Sequence, residues 1–107
     1  MGALFAWLES RVPEADRPVA VLWGDAGPHN ALHVDGVVTG LLDWELSHLG
    51  DPLEDLGGAV WAVEAVADPE LTIAAYEAES GRAVDRTALE WFTVFASVTR
   101  GVMLVNG

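Results

Sequence analysis

Three short groups of residues hold nearly all the interpretable chemistry of this chain: Leu22-Trp23-Gly24-Asp25-Ala26-Gly27-Pro28-His29-Asn30, Leu42-Asp43-Trp44-Glu45 and Gly50-Asp51-Pro52-Leu53-Glu54-Asp55-Leu56. Between the first and second, Ala31 to Val34 and Val37 to Leu42 flank Asp35-Gly36, a pair preferred at the centre of a two-residue type I′ hairpin. Asp25 and Asn30 stand five residues apart across a loop, and Asp43 follows thirteen residues after Asn30, at the far end of the hairpin. A hairpin brings its two ends together, so a carboxylate, a carboxamide and a second carboxylate are expected to converge. Gly24 and Gly27 allow backbone angles that other residues avoid, and Pro28 fixes one more torsion, which favours a stiff loop. Taken alone, the loop also fits an Asx turn in which Asp and Asn bond their own backbone. The two groups that follow it favour a site.

Phosphoryl transfer from a nucleotide needs such a trio. An Asp orients the attacking hydroxyl and accepts its proton, an Asn five residues later holds a metal, and a further Asp holds metal against the phosphates. Oxygen ligands suit a hard ion such as Mg²⁺, and a neutral Asn adds no third negative charge beside an anionic nucleotide.

At these residues the sequence resembles the aminoglycoside phosphotransferase and choline kinase-like enzymes. Their pattern is His-Gly-Asp-x-x-x-x-Asn, then hydrophobic-Asp-Trp/Phe-Glu, then Gly-Asp-Pro-x-x-Asp-Leu. This chain carries Trp23-Gly24-Asp25 to Asn30, Leu42-Asp43-Trp44-Glu45, and Gly50-Asp51-Pro52 to Asp55-Leu56, in that order. Trp23 stands where the family has His, and His29 where Gly is common. The resemblance implies a catalytic base at Asp25, Mg²⁺ on Asn30 and Asp43, and ATP or GTP as phosphate donor. By position, Glu45, two residues past Asp43, reads equally as a contact to substrate or metal-bound water and as a structural acid. His29 lies between the base and the metal ligand Asn30. The resemblance gives Asp51 and Gly24, with Asp55, the task of holding the loop in shape. The implied fold is α+β, the C-terminal (large) lobe of a protein-kinase-like fold, with a β-hairpin and catalytic loop packed on several helices. Residues 1–107 are read as one domain, with 22–56 as the catalytic and metal-binding segment and 57–107 as a helical subdomain.

Composition narrows the alternatives. At 107 residues and 51% hydrophobic content, the chain is sufficient for one packed domain. It has no cysteine, which rules out disulfides and thiolate metal sites and fits a reducing cytoplasm. No apolar run reaches membrane-spanning length, and Met1-Gly2-Ala3-Leu4 lacks the basic start of a signal peptide, so a soluble cytoplasmic protein is expected. A formal charge of −12, from 17 acidic and 5 basic residues, argues against nucleic acid as a partner. It suits a cationic substrate without selecting one. His29, His33 and His48 follow no familiar zinc spacing.

The flanking segments read as follows. Residues 2–11 predict a short helix with Leu4, Phe5, Trp7 and Leu8 inward, and Pro13 and Pro18 mark a loop. Val19 to Leu22 predict a buried strand leading into Gly24. Arg11 and Arg17 read as solvated charges. Trp44 to Glu54 read as a loop, with Asp51 capping the helix that follows. Leu56, Val60, Val63 and Val66 predict that helix, Pro69 to Glu79 a second, and Asp85 to Val105 a third with Leu89, Phe92, Phe95, Val98 and Val102 on one apolar stripe.

The resembled enzymes also use a nucleotide-binding lobe bearing a strand Lys. All five basic residues here are Arg, so that N-terminal lobe is expected to be absent and the chain to be inactive, or nearly so, as an isolated fragment. Self-association, or another chain supplying the lobe, would cover the apolar surface left open. The expected function is the C-terminal lobe of an ATP-dependent kinase acting on a small-molecule hydroxyl. The rival reading is a noncatalytic binding module derived from the same fold, and a metal-dependent hydrolase leaves the Gly-Asp-Pro segment unexplained.

Overall fold

The structure is a computed structural model that describes the backbone of residues 2–106 and the side-chain environments of residues 2–100. Helix α1 (Gly2–Ser10) leads to strand β1 (Ala20–Leu22) and a 3₁₀ turn at Pro28–Asn30, then to the hairpin strands β2 (Ala31–Val34) and β3 (Val37–Leu41). Strand β4 (His48–Gly50) precedes helices α2 (Pro52–Val63), α3 (Pro69–Ser80) and α4 (Arg86–Asn106). The strands form two antiparallel pairs, β1 with β4 and β2 with β3.

Helices α2, α3 and α4 each start where local chemistry satisfies the first N–H groups. The Asp51 carboxylate accepts from Leu53 N at 2.9 Å, with Pro52 next in line and Glu54 and Asp55 in the first turn, where acids complement the helix dipole. Asp68 and Pro69 repeat the arrangement for α3, which ends at Gly81 in a left-handed conformation. Asp85 accepts from Thr87 N and Ala88 N, each at 3.1 Å, at the start of α4.

The core lies among these three helices: Leu53, Leu56 and Val60 from α2, Ile73 from α3, and Ala88, Leu89 and Phe92 from α4. Helices α2 and α4 come very close because Gly57 and Gly58 face α4. A Cβ on Gly57 would lie 2.8 Å from the Phe92 carbonyl carbon. Helix α1 attaches through buried Leu8, whose carbonyl accepts from Trp91 Nε1 at 2.8 Å.

Several expectations need correction. The strand before the loop is not buried throughout: Leu22 is 2% exposed, whereas Val19 and Val21 are 72% and 70% exposed, because a two-stranded ribbon covers only one of its faces. Residues 48–50, read as loop, form β4, paired Ala20 to Gly50 and Leu22 to His48. Helix α2 begins at Pro52, capped by Asp51 as expected, but ends at Val63, leaving Val66 outside it and exposed. On α1 only Leu8 is buried, and Phe5 is exposed. Arg17 is not solvated: it is 20% exposed and donates from Nε to Asp51 Oδ2 at 2.7 Å. The apolar stripe of α4 holds at Leu89, Phe92 and Val98, with Phe95 partly buried; the Val102 side chain lies outside the described residues.

Candidate active site

The hairpin turn adopts the expected geometry, with positive φ at both Asp35 (50°) and Gly36 (78°). Ala31 pairs with Leu41, and the ladder continues one step further, with Leu42 N donating to Asn30 O at 2.7 Å. Asn30 therefore stands opposite the residue just before Asp43.

Asn30 also closes the loop. Its Nδ2 donates to Asp25 Oδ2 at 2.9 Å and to Asp25 O at 3.0 Å. Two acceptors on that atom fix the carboxamide orientation and leave Oδ1, the better metal ligand, outside these bonds. His29 Nε2 lies 3.2 Å from Asp25 Oδ1, so both carboxylate oxygens of Asp25 have a partner. Gly27 was expected to supply unusual torsions, yet its φ is 166°, ordinary extended backbone. Its small size is what counts, since a Cβ there would meet the His29 ring at 2.7 Å.

Gly24 does need its torsional freedom. Its φ is 89°, and a Cβ would lie 2.2 Å from Leu46 O. The segment from Leu42 to Ser47 thus crosses directly over the catalytic-type loop. Two further bonds tie the crossing down, Trp23 Nε1 to Leu42 O at 2.7 Å and Ser47 Oγ to Leu22 O at 2.8 Å, while Trp44 Nε1 donates locally to Leu41 O at 2.9 Å. The Trp23 and Trp44 rings stack with centroids 5.9 Å apart.

Asp43 follows this anchor with φ of 61°, a left-handed conformation that Asp adopts more readily than most residues other than glycine, still at a cost of about 1 kcal/mol. Its side chain is exposed, as is that of Glu45. Neither carboxylate has a hydrogen-bond partner among the described residues.

Loop support falls to Asp55 more than to Asp51. The Asp55 carboxylate takes the backbone N–H of Trp23 at 2.7 Å and of Gly24 at 3.0 Å. Asp51 is occupied in capping α2 and binding Arg17, and steadies the loop only through that helix. Beside it, His48 Nδ1 faces Leu46 O at 2.8 Å and Nε2 faces Glu54 Oε2 at 2.5 Å. The Leu46 carbonyl raises the His48 pKa above its ordinary value, burial opposes it, and Glu54 and then Asp55 add to the rise.

Sequence reasoning missed Arg100. From α4 its Nη2 donates to Ala26 O at 3.1 Å and lies 3.7 Å from Asp25 Oδ1. An Arg near the end of an amphipathic helix carries no motif that would have marked it.

The oxygen donors suit Mg²⁺. Asn30 Oδ1 and the Asp43 carboxylate are hard ligands, and Mg²⁺ is commonly held by one or two carboxylates together with water and substrate phosphates. Among the described residues, no group of three His, Cys, Asp or Glu side chains is placed to hold a metal.

The sequence model of the phosphotransferase enzyme family matches residues 1–92. The chain belongs to that family, and the resemblance to aminoglycoside phosphotransferases and choline kinase-like enzymes holds. The structure is similar to that of an aminoglycoside-3′-phosphotransferase of type VIII, with a TM-score of 0.70 and 27% identity over 87% of this chain and 37% of the other. It is also similar to a protein of Ralstonia eutropha JMP134 assigned as an aminoglycoside phosphotransferase, with a TM-score of 0.68 and 24% identity over 99% of this chain and 40% of the other. The mixture of helices and small antiparallel sheets is the aminoglycoside phosphotransferase, kinase-like fold. The chain spans about two-fifths of the length of these two structures. No helix among the described residues is long and apolar enough to cross a membrane.

Proposed function

We propose that this chain carries the phosphoryl-transfer centre of an ATP-dependent small-molecule kinase, and that it corresponds to the C-terminal lobe of such an enzyme. Asp25 is the base, and Asn30 and Asp43 are the residues that hold Mg²⁺ with the nucleotide. The observation that carries this reading is the pair of hydrogen bonds from Asn30 Nδ2 to Asp25, which ties base and carboxamide into one unit and leaves the carboxamide oxygen outside those bonds.

In the reaction, Asp25 orients the acceptor hydroxyl and takes its proton as the oxygen attacks the γ-phosphorus. The bond from that phosphorus to the β,γ-bridging oxygen breaks, and the nucleoside diphosphate departs. Bound Mg²⁺ supplies charge neutralisation at the phosphates. The stiff backbone around Gly24, held by Asp55, keeps the base from drifting, which matters because positional errors of about 1 Å cost large factors in rate.

Leu32, Val34, Val37, Val38, Leu41 and Leu42 are exposed on and beside the hairpin. An apolar surface of this kind calls for a covering partner. A nucleotide-binding lobe, present in the same protein, in a second chain or replaced by self-association, is the partner we assign to it, and the isolated chain is expected to turn over little or no substrate. The acceptor is a small-molecule alcohol. A cationic aminoglycoside fits both the acidic charge of −12 and the similarity to aminoglycoside phosphotransferases.

Calorimetric titration with Mg²⁺–ATP tests the assignment. Binding that weakens at least about tenfold in Asn30→Ala and in Asp43→Ala supports it. Absence of binding in the native sequence, or binding indifferent to both substitutions, favours a noncatalytic module that inherited the fold.

A further inference from the structure

Asp25 has a second attachment, from the opposite end of the sequence. The Arg100 guanidinium reaches across from α4 to Ala26 O at 3.1 Å and stands 3.7 Å from Asp25 Oδ1. It is only 13% exposed, which is unusual for an Arg unless its charge is matched. The Trp61 ring lies beneath it, 5.3 Å from the guanidinium carbon to the ring centroid, in cation–π range. Gly58 makes room for it: a Cβ there would lie 2.7 Å from Arg100 Nη2. Helix α2 thus provides both the aromatic floor and the gap through which the side chain passes.

We propose that Arg100 is a positioning residue for Asp25, holding the base and the Ala26 carbonyl in the orientation that Asn30 completes from the other side. Its catalytic consequence rests on the assignment of Asp25 as the base. The two attachments divide the work. Asn30 holds Oδ2 and the Asp25 carbonyl, whereas Arg100 holds the next carbonyl and faces Oδ1. With one oxygen left to Asn30 and the other flanked by Arg100 and the exposed His29, the carboxylate is restrained from rotating about its Cβ–Cγ bond. Largely covered by α2 and the loop, Arg100 is assigned its effect through Asp25.

Amide hydrogen exchange and the Asn30 side-chain NH₂ resonances of the chain test this. Arg100→Met is expected to speed exchange of the Gly27 and Asn30 amides about tenfold and to shift the Asn30 NH₂ signals, while the Ile73 amide in α3 is unchanged. Arg100→Lys, which keeps the charge, recovers part of both effects. Gly58→Ala, which displaces the guanidinium without removing it, reproduces the Arg100→Met pattern. If Arg100→Met does not fold, Arg100→Lys and Gly58→Ala carry the test. Unchanged Asn30 signals in all folded variants, or a uniform rise in exchange across loop and core, overturns the proposal. Neither readout depends on nucleotide: failure of the native chain to bind Mg²⁺–ATP counts against the assigned function and leaves the Arg100 geometry to stand or fall separately.

Discussion

The indole Nε1 of Trp23 donates to the carbonyl oxygen of Leu42 at 2.7 Å, so the residue just before the Gly24-Asp25 loop grips the peptide just before Asp43. Stacking of Trp23 on Trp44 closes the grip from the other side of Asp43. The left-handed backbone of Asp43 is therefore held from both flanks, which explains how a strained conformation persists on an exposed segment. Where the family has His, this chain uses a larger donor that also stacks.

Loss of that donor has a defined consequence. Trp23→Phe keeps an aromatic ring but no N–H, and should lower stability by about 1 kcal/mol and weaken Mg²⁺–nucleotide binding roughly tenfold. Trp23→His restores a donor and should recover part of the binding. Urea denaturation and calorimetry read the two effects separately.

Asp55 accepts from two backbone N–H groups at the base of the loop. Asp55→Ala leaves both without their charged acceptor and should cost about 2–4 kcal/mol, read as a lower urea midpoint at unchanged slope. Asp55→Asn, which keeps one carbonyl oxygen, should lose less.

Gly24 and Gly36 both have positive φ, yet their surroundings differ. Gly36 has open space about it, whereas Gly24 sits under Leu46 O. Gly36→Asn should be nearly neutral, since Asn tolerates this conformation. Gly24→Ala combines a strained torsion with a backbone collision and should cost about 3 kcal/mol or more, or prevent folding. Thermal or urea unfolding of the two variants makes the comparison.

His48 gives a pH dependence of known sign. Its folded-state pKa lies above the reference value of 6.5, so the folded state binds the proton more tightly than the unfolded state. The stabilisation is fully present below pH 6.5 and is lost as pH rises through the folded value. At 43% exposure the effect is modest and screened by salt. The urea midpoint of the native chain should fall relative to that of His48→Gln as pH rises from about 6.5 through the folded value.

What the sequence disclosed follows from how local each feature is. Asp35-Gly36, the Asp-Pro helix starts and the Gly81 stop depend on a few adjacent residues, and these elements appear where expected. Strand β4 has only three residues and exists through its pairing with Ala20 to Leu22, so no periodicity announced it. Arg17 read as a solvated charge, and Arg100 drew no reading at all, because their partners, Asp51 and Ala26, lie 34 and 74 residues away. The proximity of Asp25 and Asn30 was legible from spacing, whereas the task of Asp55 emerged only when α2 was seen beneath the loop.

The assignment of Asn30 and Asp43 as a joint metal site is tested most directly by titrating the isotopically labelled chain with Mn²⁺ in the presence of ATP and following paramagnetic broadening by NMR, which detects even weak binding. The account predicts that the Asn30 side-chain NH₂ and the Asp43 backbone amide broaden first, and that Asp43→Ala abolishes this preference. Broadening spread evenly over the acidic surface, or unchanged in Asp43→Ala, would contradict it.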